Sequence, residues 1–143
     1  MRNIGSLNLI NQNDNLSVHW DLVGFEKHKK IYPRFNEADW ALVKQLSAKS
    51  GAQPRHQSKW FNMQINLFLS KSSAELDYII SDDLKLVKLG MDSKGEKVRP
   101  VFLSRNTLDL LNSKTKVYAE KFSVSKSLMK RYLVKLAIDF KLS

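Results

Sequence analysis

The feature that most constrains the fold of this chain is an internal repeat. Residues 23–35 and residues 89–102 each contain a glycine, then charged residues, then a Lys-aliphatic-x-Pro-x-Phe run. The two copies are offset by 66 residues before the turn and by 67 after it, which indicates one inserted residue in the second turn. Ser-Lys pairs at 58–59 and 125–126 keep the offset of 67. A unit this small does not bury its apolar face alone, so two packed copies are predicted.

The charge is shared equally by the two copies. The chain has 143 residues, with 24 Lys and Arg against 14 Asp and Glu, a formal net charge of +10. Division after Ser72 leaves +5 in each part. The predicted units are therefore residues 1–72 and residues 73–143, and a field of this size favours a polyanionic partner such as nucleic acid.

Composition excludes several classes of protein. The absence of cysteine rules out a disulfide scaffold and thiolate metal sites. No run of apolar residues approaches the roughly 18 that a membrane span requires, so no membrane partner is expected. The first residues lack the apolar core of a signal peptide, and a cytoplasmic protein is the expectation.

Each copy predicts a strand, a turn and a second strand. The leading strands are predicted at 16–23 and 84–89, and the second strands at 30–35 and 97–103, from partial alternation of apolar residues. Pro33 and Pro100 have no amide hydrogen to donate. The second strands therefore belong to a short ribbon and not to the centre of a wide sheet.

Two helices follow in each copy, which gives an α+β fold. Asn36 and Ser104 are good N-caps for the first helices, predicted to run to about Ser50, before Gly51, and to about Lys121. Apolar stripes predict closing helices from positions 58 and 125. The mostly polar connector 71–83 carries an apolar island at 78–80, predicted as a short strand or a packed link.

The order of strand, helix and helix, with a basic strand, resembles the ribbon-helix-helix family of DNA-binding regulators. The resemblance covers residues 29–69 and 97–142. Members of the family pair one strand from each of two subunits into an antiparallel ribbon. The resemblance therefore implies two tandem units in this chain, each preceded by an extra strand, that share one two-stranded ribbon. Single-chain tandem forms are similar to conjugation proteins of plasmids, which implies a regulator of a mobile element.

The strands supply candidate base-reading residues. A two-stranded ribbon fits the major groove of DNA, and strand side chains alternate between faces. With Ile31, Pro33 and Phe35 inward, the outward residues are Lys30, Tyr32 and Arg34. The same phase in the second copy places Val98, Pro100 and Phe102 inward and Lys97, Arg99 and Val101 outward. An inserted residue before Ser104 leaves an alternative phase, with Val101 and Leu103 inward and Phe102 exposed. The alternative for the outward basic residues is an ordinary solvated face.

The starts of the closing helices supply candidate phosphate contacts. Unpaired amides at a helix N-terminus favour an anion, and a hydroxyl and a cation lie at each start. The candidates are Ser58, Lys59, Ser125 and Lys126. Ordinary N-capping by the serines is the alternative.

Catalysis finds no support in the sequence. His19, His28 and His56 lack the spacing of metal ligands, and residues 95–97 lack the glycine pattern of a phosphate-binding loop. No catalytic residue, no metal and no cofactor is predicted, and the chain is not expected to be an enzyme.

The resulting expectation is a sequence-specific regulator of transcription that binds double-stranded DNA, with a homodimer of chains able to occupy adjacent subsites. One alternative is a relaxosome accessory protein at a transfer origin. Another is an antitoxin-type interaction module.

Overall fold

The computed structural model describes residues 19–84 and 96–142, apart from the side chains of residues 83 and 84. These residues form short strands and helices, which confirms the α+β class. The strands are β1 (Lys29–Ile31), β2 (Arg34–Phe35), β3 (Lys97–Val98) and β4 (Val101–Leu103). The helices are α1 (Glu37–Lys49), α2 (Gln57–Leu69), α3 (Ser73–Leu84), α4 (Arg105–Phe122) and α5 (Lys126–Leu142), with 3-10 turns at Trp20–Leu22 and Pro54–His56.

The two proline-bearing segments pair with each other. Strand β1 pairs antiparallel with β4, and β2 pairs antiparallel with β3, each as a small two-stranded sheet. Both pairings share one register, in which Lys30 faces Phe102 and Arg34 faces Val98. Between them the amide of Arg99 donates to the carbonyl of Pro33 at 2.8 Å. The prolines lack amide hydrogens and interrupt the ladder, so one continuous ribbon is divided into two short sheets.

Local capping sets the ends of the helices. The side chain of Asn36 accepts a hydrogen bond from the amide of Asp39 at 2.7 Å, and the Ser104 hydroxyl accepts one from the amide of Thr107 at 3.3 Å. After α1, Gly51 has a positive φ of 88°. After α4, Ser123 adopts the left-handed conformation that glycine usually supplies, with φ 56°. The predicted N-caps and the predicted end of α1 are confirmed.

Both apolar clusters contain residues from both sides of position 72. One lies among α2, α3, α4 and α5, and the other lies between the ribbon, α1, α2 and α5. Helix α2 packs against α4 and α5, so its contacts cross from one repeat to the other. Residues 1–72 and 73–143 therefore share their core. Fully buried members are Ile65, Leu69, Leu76, Ile80, Leu111 and Leu133 in the first cluster, and Trp20, Phe35, Trp60, Phe61 and Ile138 in the second.

The connector between the repeats is a helix and not a strand. In α3, Leu76 and Ile80 lie one turn apart and are both fully buried, which accounts for the apolar island. The hydroxyl of Tyr118 in α4 donates to Asp77 at 2.8 Å. Burial of the phenol, together with this bond, raises the pKa of Tyr118 to about 12. This contact fixes the polar side of α3 to α4.

The leading strand predicted at 16–23 is wrong where the structure describes it. Residues 20–22 form a 3-10 turn, and the buried indole of Trp20 donates from Nε1 to the carbonyl of Ser50 at 3.0 Å. The apparent alternation thus comes from one anchored tryptophan beside exposed neighbours. Residues 16–18 and 85–89 lie outside the described residues, and position 84 is the end of α3 and not a strand.

Candidate nucleic-acid interface

The outer face of the ribbon carries the basic residues predicted from the first strand. Lys30, Tyr32 and Arg34 are exposed, with Tyr32 at 62% of its full area. Phe35 is buried, and Ile31 is half-buried on the opposite face. The predicted outward phase of the first strand therefore agrees with the burial of its side chains.

The predicted phase of the second strand is wrong. Val101 is only 2% exposed and Leu103 is fully buried, whereas Val98 is 39% exposed. Phe102 shares the outer face with Lys30, its partner in the register. The alternative phase holds instead. The reason is a further inserted residue, between Phe102 and the N-cap Ser104, since the prolines are 67 residues apart and the N-caps Asn36 and Ser104 are 68 apart. Because the side-chain period of a strand is two, a slip of one residue exchanges its faces.

Arg99 and Lys97 consequently do not lie on the outer face of the ribbon. The guanidinium of Arg99 lies 4.7 Å from the centre of the Trp40 ring, and its Nε atom is buried without a hydrogen-bond partner. Lys97 lies opposite Phe35, and its amine is 3.7 Å from a carboxylate oxygen of Glu37. Both cations contact α1, so neither occupies the base-reading position predicted for it.

At the start of α2, the predicted phosphate ligands make contacts within the protein. The hydroxyl of Ser58 accepts a hydrogen bond from the amide of Phe102 at 3.0 Å. The amine of Lys59 donates to the carbonyl of Trp20 at 2.7 Å. The Ser58 hydroxyl therefore secures the free edge of β4, and Lys59 secures the segment that precedes the ribbon.

Asn62, which sequence reasoning missed, fastens the same edge. Its side-chain amide donates to the carbonyl of Phe102 at 2.7 Å and accepts from the amide of Ser104 at 2.9 Å. The residue is 6% exposed. The available signal was an amide directly after Phe61, on the apolar stripe of a predicted helix. A buried amide there needs specific partners, and the ribbon supplies them.

At the start of α5, the predicted ligands lie on the surface. The hydroxyl of Ser125 accepts a hydrogen bond from the amide of Leu128 at 3.2 Å, which is ordinary N-capping. Ser125 and Lys126 are both exposed. The two helix starts thus differ, because the first holds other parts of the chain and the second faces solvent.

A carboxylate lies against the basic loop before α2. Asp21 accepts from Arg55 at 3.3 Å and contacts Nε2 of His56 at 2.7 Å. The Nδ1 atom of His56 accepts from the amide of Gln53 at 3.1 Å, so Nε2 carries the proton and donates to Asp21. The bonds from His56 and then Arg55 lower the pKa of Asp21 below its usual 3.8.

This lowered pKa predicts a contribution to acid sensitivity. A carboxyl whose pKa is depressed by folding stabilises the protein above its unfolded value, and that stabilisation is lost as pH falls through the folded value. Asp21→Asn is therefore expected to reduce the loss of stability below about pH 4. Denaturant unfolding between pH 6 and pH 2 measures it. Asp109→Asn, at an exposed position, is the control, and equal acid slopes for both variants would contradict the prediction.

Beside the second strand lies a concave surface of about 710 Å³. Pro100 and Phe102 contribute apolar area to it, and Lys27, Arg55 and Lys59 contribute cations. The amine of Lys27 lies 4.9 Å from the centre of the Phe102 ring, as does that of Lys30. Glu26 also lines this surface, so it combines apolar area with three cations and one carboxylate.

Two other kinds of site are not found in the described residues. Within 19–84 and 96–142, no group of three or more His, Asp or Glu could hold a metal ion. No helix in the same ranges is long and apolar enough to cross a membrane.

Comparison of the chain with protein-family models, with curated proteins and with solved structures returned no significant match.

Proposed function

We propose that this protein is a sequence-specific DNA-binding regulator of transcription, built as a single-chain tandem ribbon-helix-helix unit. The observation that carries the proposal is the paired ribbon with Lys30, Tyr32 and Arg34 exposed on its outer face. A two-stranded ribbon fits the major groove, where each base pair presents a distinct pattern of donors and acceptors.

The arrangement of the helices supports the same proposal. Each ribbon strand leads into a capped helix and then a second helix. The second helix of the first repeat, α2, packs across both helices of the second repeat. In a dimer of simple ribbon-helix-helix subunits the helices of one subunit would pack against those of the other in this way. Here the two repeats of one chain would take the place of the two subunits.

Positive charge supplies the affinity that does not depend on sequence. The net charge is +10, and contacts of Lys and Arg with phosphates release counterions from the duplex. Lys126, exposed at the start of α5, is the foremost candidate for a phosphate contact. Arg55 and Lys59 line the concave surface near the ribbon and are candidates in the first repeat, although each also holds part of the chain.

Control of the transfer genes of a mobile element is the biological role that the family resemblance suggests. A relaxosome accessory protein would use the same interface on a transfer origin. The two roles differ in the DNA site bound, and fragments recovered by selection from the source genome separate them. We further propose that a chain-level homodimer fills adjacent subsites on such DNA.

Binding to random duplex tests the proposal most directly. The logarithm of the association constant is expected to fall linearly with the logarithm of the salt concentration, with a slope of about −0.9 for each phosphate neutralised. Fluorescence anisotropy between 50 and 300 mM salt measures it. Lys126→Ala should lower the affinity for every sequence similarly and reduce the slope by about one. Binding that is absent or independent of salt would overturn the proposed function.

A further inference from the structure

The two strands of the ribbon present different chemistry on the same outer face. The first strand presents Lys30, Tyr32 and Arg34, whereas the second presents Val98, Pro100 and Phe102. In the observed register Lys30 faces Phe102 and Arg34 faces Val98. Each of these pairs therefore joins a hydrogen-bonding side chain to an apolar one.

These residues occupy equivalent places in the two repeats. Arg34 lies two residues before the N-cap Asn36, and Phe102 lies two residues before the N-cap Ser104. The caps are 68 residues apart. Because strand side chains alternate between faces, residues at the same distance before the two caps are expected on the same face of the ribbon. At the same distances before the N-caps, the first strand has three polar side chains and the second has three apolar ones.

We propose that the ribbon reads a non-palindromic DNA site, in which one half-site is recognised by hydrogen bonds and the other by apolar contact with thymine methyl groups. This inference rests on the proposed function. Lys30 and Arg34 can donate to guanine, and Tyr32 can donate or accept. Val98, Pro100 and Phe102 have no polar side-chain atom, and the thymine methyl is the apolar group that the major groove offers.

The surroundings of the second strand favour DNA as its ligand. The concave surface next to Phe102 is lined by Pro100 and by three cations, Lys27, Arg55 and Lys59, against one carboxylate, Glu26. The amines of Lys27 and Lys30 both lie 4.9 Å from the centre of the Phe102 ring. The amine of Lys27 can contact a phosphate while the apolar side chains face the base edges.

The first test is selection of bound sequences from a random duplex library. The protein is expected to enrich a motif whose halves differ, with guanine in one half and thymine in the other. Val98→Lys combined with Phe102→Arg copies the chemistry of the first strand onto the second. That variant is expected to enrich a motif with two similar halves. Circular dichroism confirms that it folds, and both substituted side chains lie on the outer face.

The second test removes only the methyl groups. Deoxyuridine in place of thymidine in the apolar half-site is expected to weaken binding about fivefold, and the same change in the other half-site is expected to have little effect. Val98→Ala combined with Phe102→Ala should reduce the difference in affinity between thymine and uracil duplexes. Val117→Ala removes an exposed apolar side chain from α4 and should retain the difference.

The outcomes separate the two proposals. Absence of salt-dependent binding to any duplex would overturn the proposed function. Salt-dependent binding with a palindromic motif, or with equal affinity for thymine and uracil in both half-sites, would overturn this inference and leave the proposed function standing.

Discussion

Replacement of Asn62 by alanine is expected to lower the free energy of unfolding by about 3 kcal/mol. The substitution removes the donor to the carbonyl of Phe102 and the acceptor of the amide of Ser104. Because Asn62 lies almost fully buried beneath the ribbon, water does not readily replace its amide. Chemical denaturation monitored by tryptophan fluorescence measures the change.

Asn112→Ala is the matched control for Asn62. This asparagine is exposed in the interior of α4, where a change to alanine is expected to stay within about 0.5 kcal/mol. A loss below about 1 kcal/mol for Asn62→Ala would show that the ribbon does not depend on this attachment.

Replacement of Arg34 by alanine is expected to weaken binding to the selected DNA site by about 2 kcal/mol, or about thirtyfold. Arg34 is exposed on the outer face, and its guanidinium can form two hydrogen bonds with one guanine. Affinity for random duplex should fall only through the loss of one positive charge. Anisotropy titrations on the selected site and on a scrambled site measure the two quantities.

Arg99→Ala is the matched control for Arg34. Both substitutions remove one arginine from the ribbon, but the guanidinium of Arg99 is stacked on Trp40 and faces inward. Arg99→Ala should therefore reduce stability and leave the preference for the selected site unchanged. A loss of preference from Arg99→Ala equal to that from Arg34→Ala would contradict the assigned strand faces.

Helices α1, α2, α4 and α5 could be predicted because their signals are local, whereas the pairing of the ribbon strands was predicted from the family resemblance. Asn36 and Ser104 accept hydrogen bonds at helix starts within their own segments, and apolar periodicity identified the buried stripes. Alignment of the two prolines did not predict which side chains of the second strand face inward. Pro33 and Pro100 correspond in the sequence, but the register places Pro33 opposite inward-facing Arg99, and Pro100 opposite outward-facing Tyr32.

The missed contacts depend on segments that are distant in the chain. The bond between Asp21 and His56 spans 35 residues, and that between Asn62 and Ser104 spans 42. Spacing along the chain carries no signal for such pairs. Helix α3 was missed for a related reason: the two buried side chains among residues 73–82, Leu76 and Ile80, are too few to establish helical periodicity in a polar segment.

Pairing of the ribbon within one chain has an evolutionary consequence. A homodimer uses a single coding sequence for both strands, so every substitution changes both strands at once. In this protein residues 29–35 and 97–103 are encoded separately. A substitution in one strand therefore leaves the other unchanged, so the two strands of one ribbon can present different side chains.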